Sequence, residues 1–364
     1  MSWVRLLHRW TGGLIGLFLA IIGLTGALLV HEDGFLQATL PHARDVQVRD
    51  ASAVGATLTR IFAQADHPRS VVLASSSLGL HRLKYKTEGQ GAYVDQAGEP
   101  VLRWTSIWQR PEIWIFDLHH QLLLGEFGET TAGVLALIAL GFVVTGLILW
   151  WPSRRLFAPR LWPRKMKRAL IIRHHRDLGA LVSPLLALSL VTGSAMAFTP
   201  FAMLVVSPWS RPADMKAAQV APKIKGGKLA KDFDWTAMLR TARVRYPDGE
   251  FRVLTLPAKP GGLIALRLRR QAEWLPNGRT MVWFDPKDGH EVADRDALAL
   301  PKGLRIYNGF YPLHAGKVGG LAYRLVMTVS GLTLALLGSL AVVTFWGDPI
   351  GGERKRKVKR DAVA

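Results

Sequence analysis

Four of the eleven histidines occupy matched places in the chain. His8-Arg9-x-x-Gly12 is followed by Thr25-Gly26, and His175-Arg176-x-x-Gly179 is followed by Thr192-Gly193. The step from His8 to Thr25 equals the step from His175 to Thr192. Leu118-His119 and Leu313-His314 are a second match, because His119 stands as far before Trp151 as His314 stands before Trp346. His8 and His175 are thus one equivalent pair, and His119 and His314 another. Two imidazoles meeting across a pseudo-two-fold axis supply both axial ligands of a b-type haem, which needs no covalent link to the chain. The pattern predicts two such haems, one per pair. The chain has no cysteine, which excludes disulfides, thiolate zinc sites, iron–sulfur clusters and c-type haem attachment. Zinc suits these pairs poorly, because they lack a nearby carboxylate pair and i, i+4 histidine spacing. A histidine proton relay would need acids inside the apolar stretches, and there are none.

The remaining histidines have no equivalents. His31 aligns with Phe198, His120 with Ala315 and His174 with Leu7. His31 remains a candidate to ligate or tune an outer haem. His120 replaces His119, and His174 replaces His175, if the register shifts by one position. His42, His67, His81 and His290 read as ordinary surface residues of outer loops.

Long apolar elements must position the pairs. Trp10–Val30, Thr130–Ser153, Leu178–Ser210 and Leu325–Gly347 carry no charge. Each reaches the length of about 20 apolar residues that a span needs to cross the bilayer. Pro184, Pro200 and Pro208 interrupt the third, which predicts a kink or an end near Pro200. The first has no small-x-small cleavage pattern after Val30, so it reads as a retained span. The net charge of +20 raises nucleic acid as a partner, but the cations cluster beside the spans, which points to a lipid bilayer and not to nucleic acid. Nine Lys/Arg against Asp177 in 152–177, Arg5 and Arg9 ahead of the first span, and the run Arg354 to Arg360 in the tail place both termini and the central loop in the cytoplasm.

Each outer segment contains an amphipathic helix (Ala51–Asp66; Asp234–Tyr246), alternating apolar stretches (Val71–Leu83; Phe251–Leu268) and a strand–Asp/Gly turn–strand fragment (Ala92–Val101; Val282–Val292). The predicted fold is an α-helical integral membrane protein: a four-helix transmembrane bundle from a tandem parallel repeat, with two outer α+β units. Its parts are 1–31, tail and first span; 32–129, first outer unit; 130–153, second span; 154–177, basic loop; 178–207, third span; 208–320, second outer unit; 321–347, fourth span; and 348–364, basic tail. Gly12, Gly13, Gly16, Gly23, Gly26, Gly133, Gly141, Gly146, Gly331 and Gly338 let helices, or a flat macrocycle, approach the backbone. Trp150, Trp151, Trp209 and Trp346 read as interface anchors.

Leu7-His8-Arg9-Trp10-Thr11-Gly12 with Leu24-Thr25-Gly26, Leu118-His119 with Thr145-Gly146 through Trp151-Pro152, His175-Arg176-Asp177-Leu178-Gly179 with Thr192-Gly193, and Leu313-His314 with Gly316 together resemble the PepSY-associated transmembrane family. The resemblance covers nearly the whole chain and makes the outer units PepSY-like and periplasmic. One branch of that family resembles di-haem ferric-siderophore (ferrioxamine-type) reductases of the bacterial inner membrane. It implies an oxidoreductase with haem iron held by His8, His175, His119 and His314, and a ferric siderophore as substrate. No Gly-x-Gly-x-x-Gly lies between a strand and a helix, so the electron donor is expected to be a quinol or a separate cytoplasmic reductase. Other members imply a haem-free protein that binds a peptide, protease or partner.

Overall fold

A computed structural model describes residues 2–47, 50–161 and 166–347. The basic tail 348–364, and Arg164 and Lys165 of the central loop, lie outside the described residues. The contacts divide the chain into two units. One comprises the described residues within 1–30, 115–202 and 313–364; the other comprises those within 31–114 and 203–312.

The first unit is helical. Four of its helices are long and apolar enough to cross a membrane: α1 (Ser2–Leu29), α5 (Gly125–Trp150), α6 (Arg168–Ala197) and α11 (Gly320–Trp346). The shorter α4 (Pro111–Gln121) runs into this unit ahead of α5, and α10 (Lys302–His314) does the same ahead of α11. Helix α1 packs on α11 and α5, and α6 packs on α5 and α11, around Leu19, Leu135, Leu186 and Leu337. The α1–α11 seam is made by small residues. A methyl group at Gly16 would lie 2.7 Å from the Gly338 carbonyl oxygen, and one at Gly23 would lie 2.6 Å from that of Gly331. Without a strong hydrophobic drive between helices in lipid, such close approach is what dispersion packing requires.

Helix α6 runs through Pro184, although proline has no N–H for the Ala180 carbonyl. The Ser183 hydroxyl donates to that carbonyl instead, at 2.9 Å, so the break is repaired locally. The helix stops at extended Phe198, and α7 (Thr199–Val206) follows with Pro200 in its first turn. The third span therefore ends at Ala197, short of the predicted 207. At the other end, Asp177 is fully buried and pairs with Arg160 and Arg176. Removing one partner of a buried pair strands the other charges. The Arg160 and Arg176 side chains are 35% and 24% exposed and regain some water, so Asp177→Ala is expected to cost about 1.5–3 kcal/mol, read as a lower unfolding midpoint in detergent, whereas Arg155→Ala on the exposed loop leaves it unchanged.

The second unit is α+β. Helix α2 (Glu32–Thr39) leads to α3 (Ala51–Phe62), then to β1 (Ser70–Val72), β2 (His81–Lys84), β3 (Gly91–Val94) and β4 (Pro100–Trp104). After α7 and α8 (Pro212–Ala217), α9 (Trp235–Arg245) leads to β5 (Glu250–Thr255), β6 (Ile264–Arg269), β7 (Thr280–Phe284) and β8 (Glu291–Arg295). Asp50 caps α3 through the Ala53 N–H, and Asp234 caps α9 through the Ala237 N–H, each at 2.8 Å. Asp95 accepts the Ala97 and Glu99 N–H groups ahead of β4, and Gly98 takes a left-handed φ of 89°. Asp285 and Gly289 repeat the device between β7 and β8.

Two separate outer α+β units were expected, and here the fold departs from the sequence reading. Strands from both segments form one antiparallel eight-stranded sheet, ordered β4-β3-β2-β1-β5-β6-β7-β8. Helices α3 and α9 pack against each other and bury one sheet face on Val71, Leu83, Leu254, Leu266 and Val282. The boundaries shift accordingly, since residues 115–129 and 313–320 belong with the long helices. His81 is a second departure. It is 1% exposed and its Nδ1 accepts the Ala74 N–H at 2.9 Å, because strand alternation turns it inward.

Candidate functional site

All four repeat-matched histidines fall in the helical unit, and the fold brings them together in the predicted pairs. His8 on α1 and His175 on α6 have ring centres 6.3 Å apart with planes at 90°. His119, near the end of α4, and His314, the last residue of α10, have ring centres 6.0 Å apart at 44°. Each pair draws one ring from each half of the chain. Helix α1 links the two pairs, since it carries His8 and, further along, Gly26, which touches His119. A helix rises about 1.5 Å per residue, so the two pairs lie roughly 27 Å apart along α1. That is close to the thickness of a hydrocarbon core.

Each of these imidazoles also has a hydrogen-bonding partner from the helices. His8 Nδ1 is 2.8 Å from the Thr145 hydroxyl. His119 Nδ1 meets the Thr25 hydroxyl at 3.1 Å and the Ile22 carbonyl at 3.0 Å. His314 Nδ1 repeats this with the Thr192 hydroxyl at 3.2 Å and the Ser189 carbonyl at 3.0 Å. His175 has a backbone hydrogen bond to Leu337. With a carbonyl as acceptor, Nδ1 of His119 and His314 carries the proton, which leaves Nε2 its lone pair for a metal.

The threonines and glycines after the first and third span openings now have a geometry. The Thr25 hydroxyl donates to the Ile21 carbonyl at 2.8 Å, and Thr192 to the Leu188 carbonyl at 2.7 Å, so each presents a fixed oxygen to its histidine. The next residue leaves room for the ring: a methyl at Gly26 would sit 2.9 Å from His119 Cε1, and one at Gly193 3.0 Å from His314 Cε1. The sequence showed the Thr-Gly repeat and offered Gly26 as a place of close approach, but gave Thr25, Thr192 and Gly193 no task. The matched step from histidine to threonine was the available signal. Only Gly26, Gly146 and Gly193 border the rings, whereas Gly13, Gly16, Gly23, Gly331 and Gly338 serve helix packing.

The alternative histidines are placed differently. His174 is fully buried, and neither ring nitrogen has a hydrogen-bond partner. His120 stacks on Phe116 with ring centres 5.4 Å apart and lies 3.7 Å from Glu129. His31 precedes α2 and belongs to the sheet-bearing unit. His42 and His290 pair with Asp45 and Asp288. Among the described residues, no group of three or more His, Asp or Glu is arranged to hold a metal ion.

A nitrogen–metal bond of about 2 Å on each side, plus the radius of each ring, would put the centres of two imidazoles on one shared metal roughly 6 Å apart. Both pairs match that separation.

Four membrane-crossing helices with paired histidines, joined to an α+β sheet unit, define a helical multi-span membrane protein. The family described as the PepSY-associated TM region matches residues 5–347, and the chain belongs to it. No curated protein matches the chain.

Proposed function

We propose that the chain is an inner-membrane, b-type di-haem electron-transfer protein that reduces a ferric siderophore and releases Fe(II) in the periplasm. The observation that carries this reading is the meeting of imidazoles from both halves of the chain at two places, with ring centres 6.3 and 6.0 Å apart. Haem bound at such a pair supplies a one-electron Fe(III)/Fe(II) couple.

The residues divide the work by position. His8 and His175 would hold one haem at the end of the bundle beside the basic loop, which the Lys/Arg excess assigns to the cytoplasm. His119 and His314 would hold the other at the periplasmic end. Thr145, Thr25 and Thr192 fix the rings, and Gly26 and Gly193 give them space. Electrons enter from a quinol or a separate cytoplasmic reductase. Hard oxygen ligands hold Fe(II) far less tightly than Fe(III), so one electron delivered to the complex frees the metal without any catalytic acid or base.

A duplicated chain with PepSY-like sheet halves accounts for further observations. Exchanging the halves turns the α1–α11 contact into α6–α5 and the α1–α5 contact into α6–α11, and all four occur. The sheet order reads the same outward from β1 and from β5. The left-handed turn before α5 uses Leu122, Leu123 and Gly125, and that before α11 uses Gly316, Gly319 and Gly320.

The test is anaerobic. Detergent-purified protein is reduced with dithionite, freed of excess reductant and mixed with ferric siderophore. Loss of the reduced b-type α band, with matching capture of Fe(II) by a ferrous chelator, is the expected result. A protein with no b-type spectrum rejects the reading and leaves the haem-free binding protein, and one that stays reduced rejects the siderophore as substrate. Thr25→Val, which keeps the shape of the side chain and removes the hydroxyl, is expected to weaken haem retention at the outer pair by about 10-fold or more, measured by transfer to apomyoglobin. Thr241→Val, on α9, should not.

A further inference from the structure

The sheet has one face under α3 and α9, and the opposite face carries cations. Strand alternation puts Leu83, Leu266 and Leu268 in the core and sends Arg82, Lys84 and Arg267 to the other side. The ladder lines them up: Arg82 is opposite Val72, Val72 opposite Val253, Val253 opposite Arg267, Arg267 opposite Met281, and Met281 opposite Arg295. Arg279, two positions before Met281, points the same way.

Three of these five cations, Lys84, Arg267 and Arg295, are held below their ordinary values by burial and by their cationic neighbours. Burial first, then Arg279 and Arg295, hold Arg267 below the ordinary guanidinium value. Burial, Arg82 and Arg267 do the same to Lys84. Among the described residues no carboxylate forms an ion pair with any of the five. Glu273 is the nearest acid to Arg267, but its oxygens accept the Arg270 and Arg279 N–H groups and the Thr280 hydroxyl. Glu250 is engaged by Arg252 and Arg269. Glu32 and Asp33 lie near Tyr311, on the Arg82 side. The buried Nε atoms of Arg82, Arg267 and Arg279 have no acceptor. At the β3–β4 end this face is closed by Leu36 against Tyr93 and Trp104. Arg295 is stacked on Trp283 and donates to the Ala218 carbonyl.

We propose that this face seats an anionic, carboxylate-bearing ferric chelate as the substrate, an inference that rests on the reductase reading above. Guanidinium groups present paired N–H donors that match carboxylates. A sheet face carrying five cations offers a polycarboxylate complex several charge-assisted contacts at once, and offers a neutral hydroxamate complex only uncharged hydrogen bonds.

The experiment uses gallium(III) citrate, a redox-inert stand-in for the ferric complex, titrated calorimetrically into the full chain in detergent at low salt. Binding to the wild type is expected. It should weaken about 10-fold or more in Arg267→Gln and in Arg82→Gln, and be unchanged in Arg240→Gln on α9. The unfolding midpoint of Arg267→Gln should equal or exceed that of the wild type. Absent binding, equal binding by all variants, equal affinity for a neutral gallium trihydroxamate, or equally tight binding of inorganic phosphate alone overturns the proposal. So does a lowered midpoint that accounts for the lost binding. Gallium binding needs no electron. Binding by a protein without a haem spectrum would fail the reductase reading alone, and a haem protein that ignores the gallium complex would fail this inference alone.

Discussion

The double variant His119→Ala/His314→Ala will purify with half the b-type haem of the wild type. His8→Ala/His175→Ala will lose the other half. Each pair takes one ring from each half of the chain, and the pairs lie roughly 27 Å apart along α1, so they are independent sites. Single alanine variants keep one imidazole. They should retain haem weakly, with the spectrum of an iron that has lost one axial nitrogen. His174→Ala and His120→Ala should leave haem content unchanged, because the fold places neither ring in a pair. Haem quantification on protein normalised by amino-acid analysis reads every one of these variants. Full haem content in both double variants would remove these histidines from the account.

The second large effect is structural. Gly23→Leu will disrupt the α1–α11 seam, because even the first atom of a side chain meets the Gly331 carbonyl oxygen at 2.6 Å and the Ala335 nitrogen at 2.8 Å. Those are backbone atoms and cannot rotate away. Overpacking costs about 1–3 kcal/mol, and this one falls at the upper end because it forces two helices apart. The expected result is a lower unfolding midpoint and loss of haem at both pairs, since α1 carries His8 and supports His119 through Ile22 and Thr25. Gly141→Ala is the matched control. No atom lies within 4 Å of the added methyl, and alanine favours helix by about 0.5–1 kcal/mol, so its midpoint should stay level or rise.

Much of this was legible in the sequence because the information is local or periodic. Charge-free runs mark helices that must cross lipid. The Asp–Gly turns at Asp95 and Asp285 set the hairpins where their residue types said they would be, and α3 and α9 form where the amphipathic pattern put them. The repeat made the histidine pairing legible, as equal spacing from His8 and His175 implies equal position.

What the sequence hid depends on distant contacts. Val71 meets Leu254 across the β1–β5 join, and nothing in either strand announces that the two outer segments share a sheet. Helices α4 and α10 were hidden for a different reason. Each is short and only moderately apolar, so the stretch before a span reads as a connection. The task of Thr25, and the ring that Gly26 makes room for, depend on the His119 side chain arriving from a distant helix. The cationic face escaped notice because Arg82 and Arg267 look like ordinary polar positions of alternating strands. Their proximity appears only once β1 and β5 pair.

The account stands or falls on iron porphyrin between paired imidazoles. Pyridine haemochrome analysis of the wild-type chain, expressed with adequate iron and normalised to protein, measures this directly. Two b-type haems per chain are predicted. A chain that is folded, monodisperse and free of haem would contradict it.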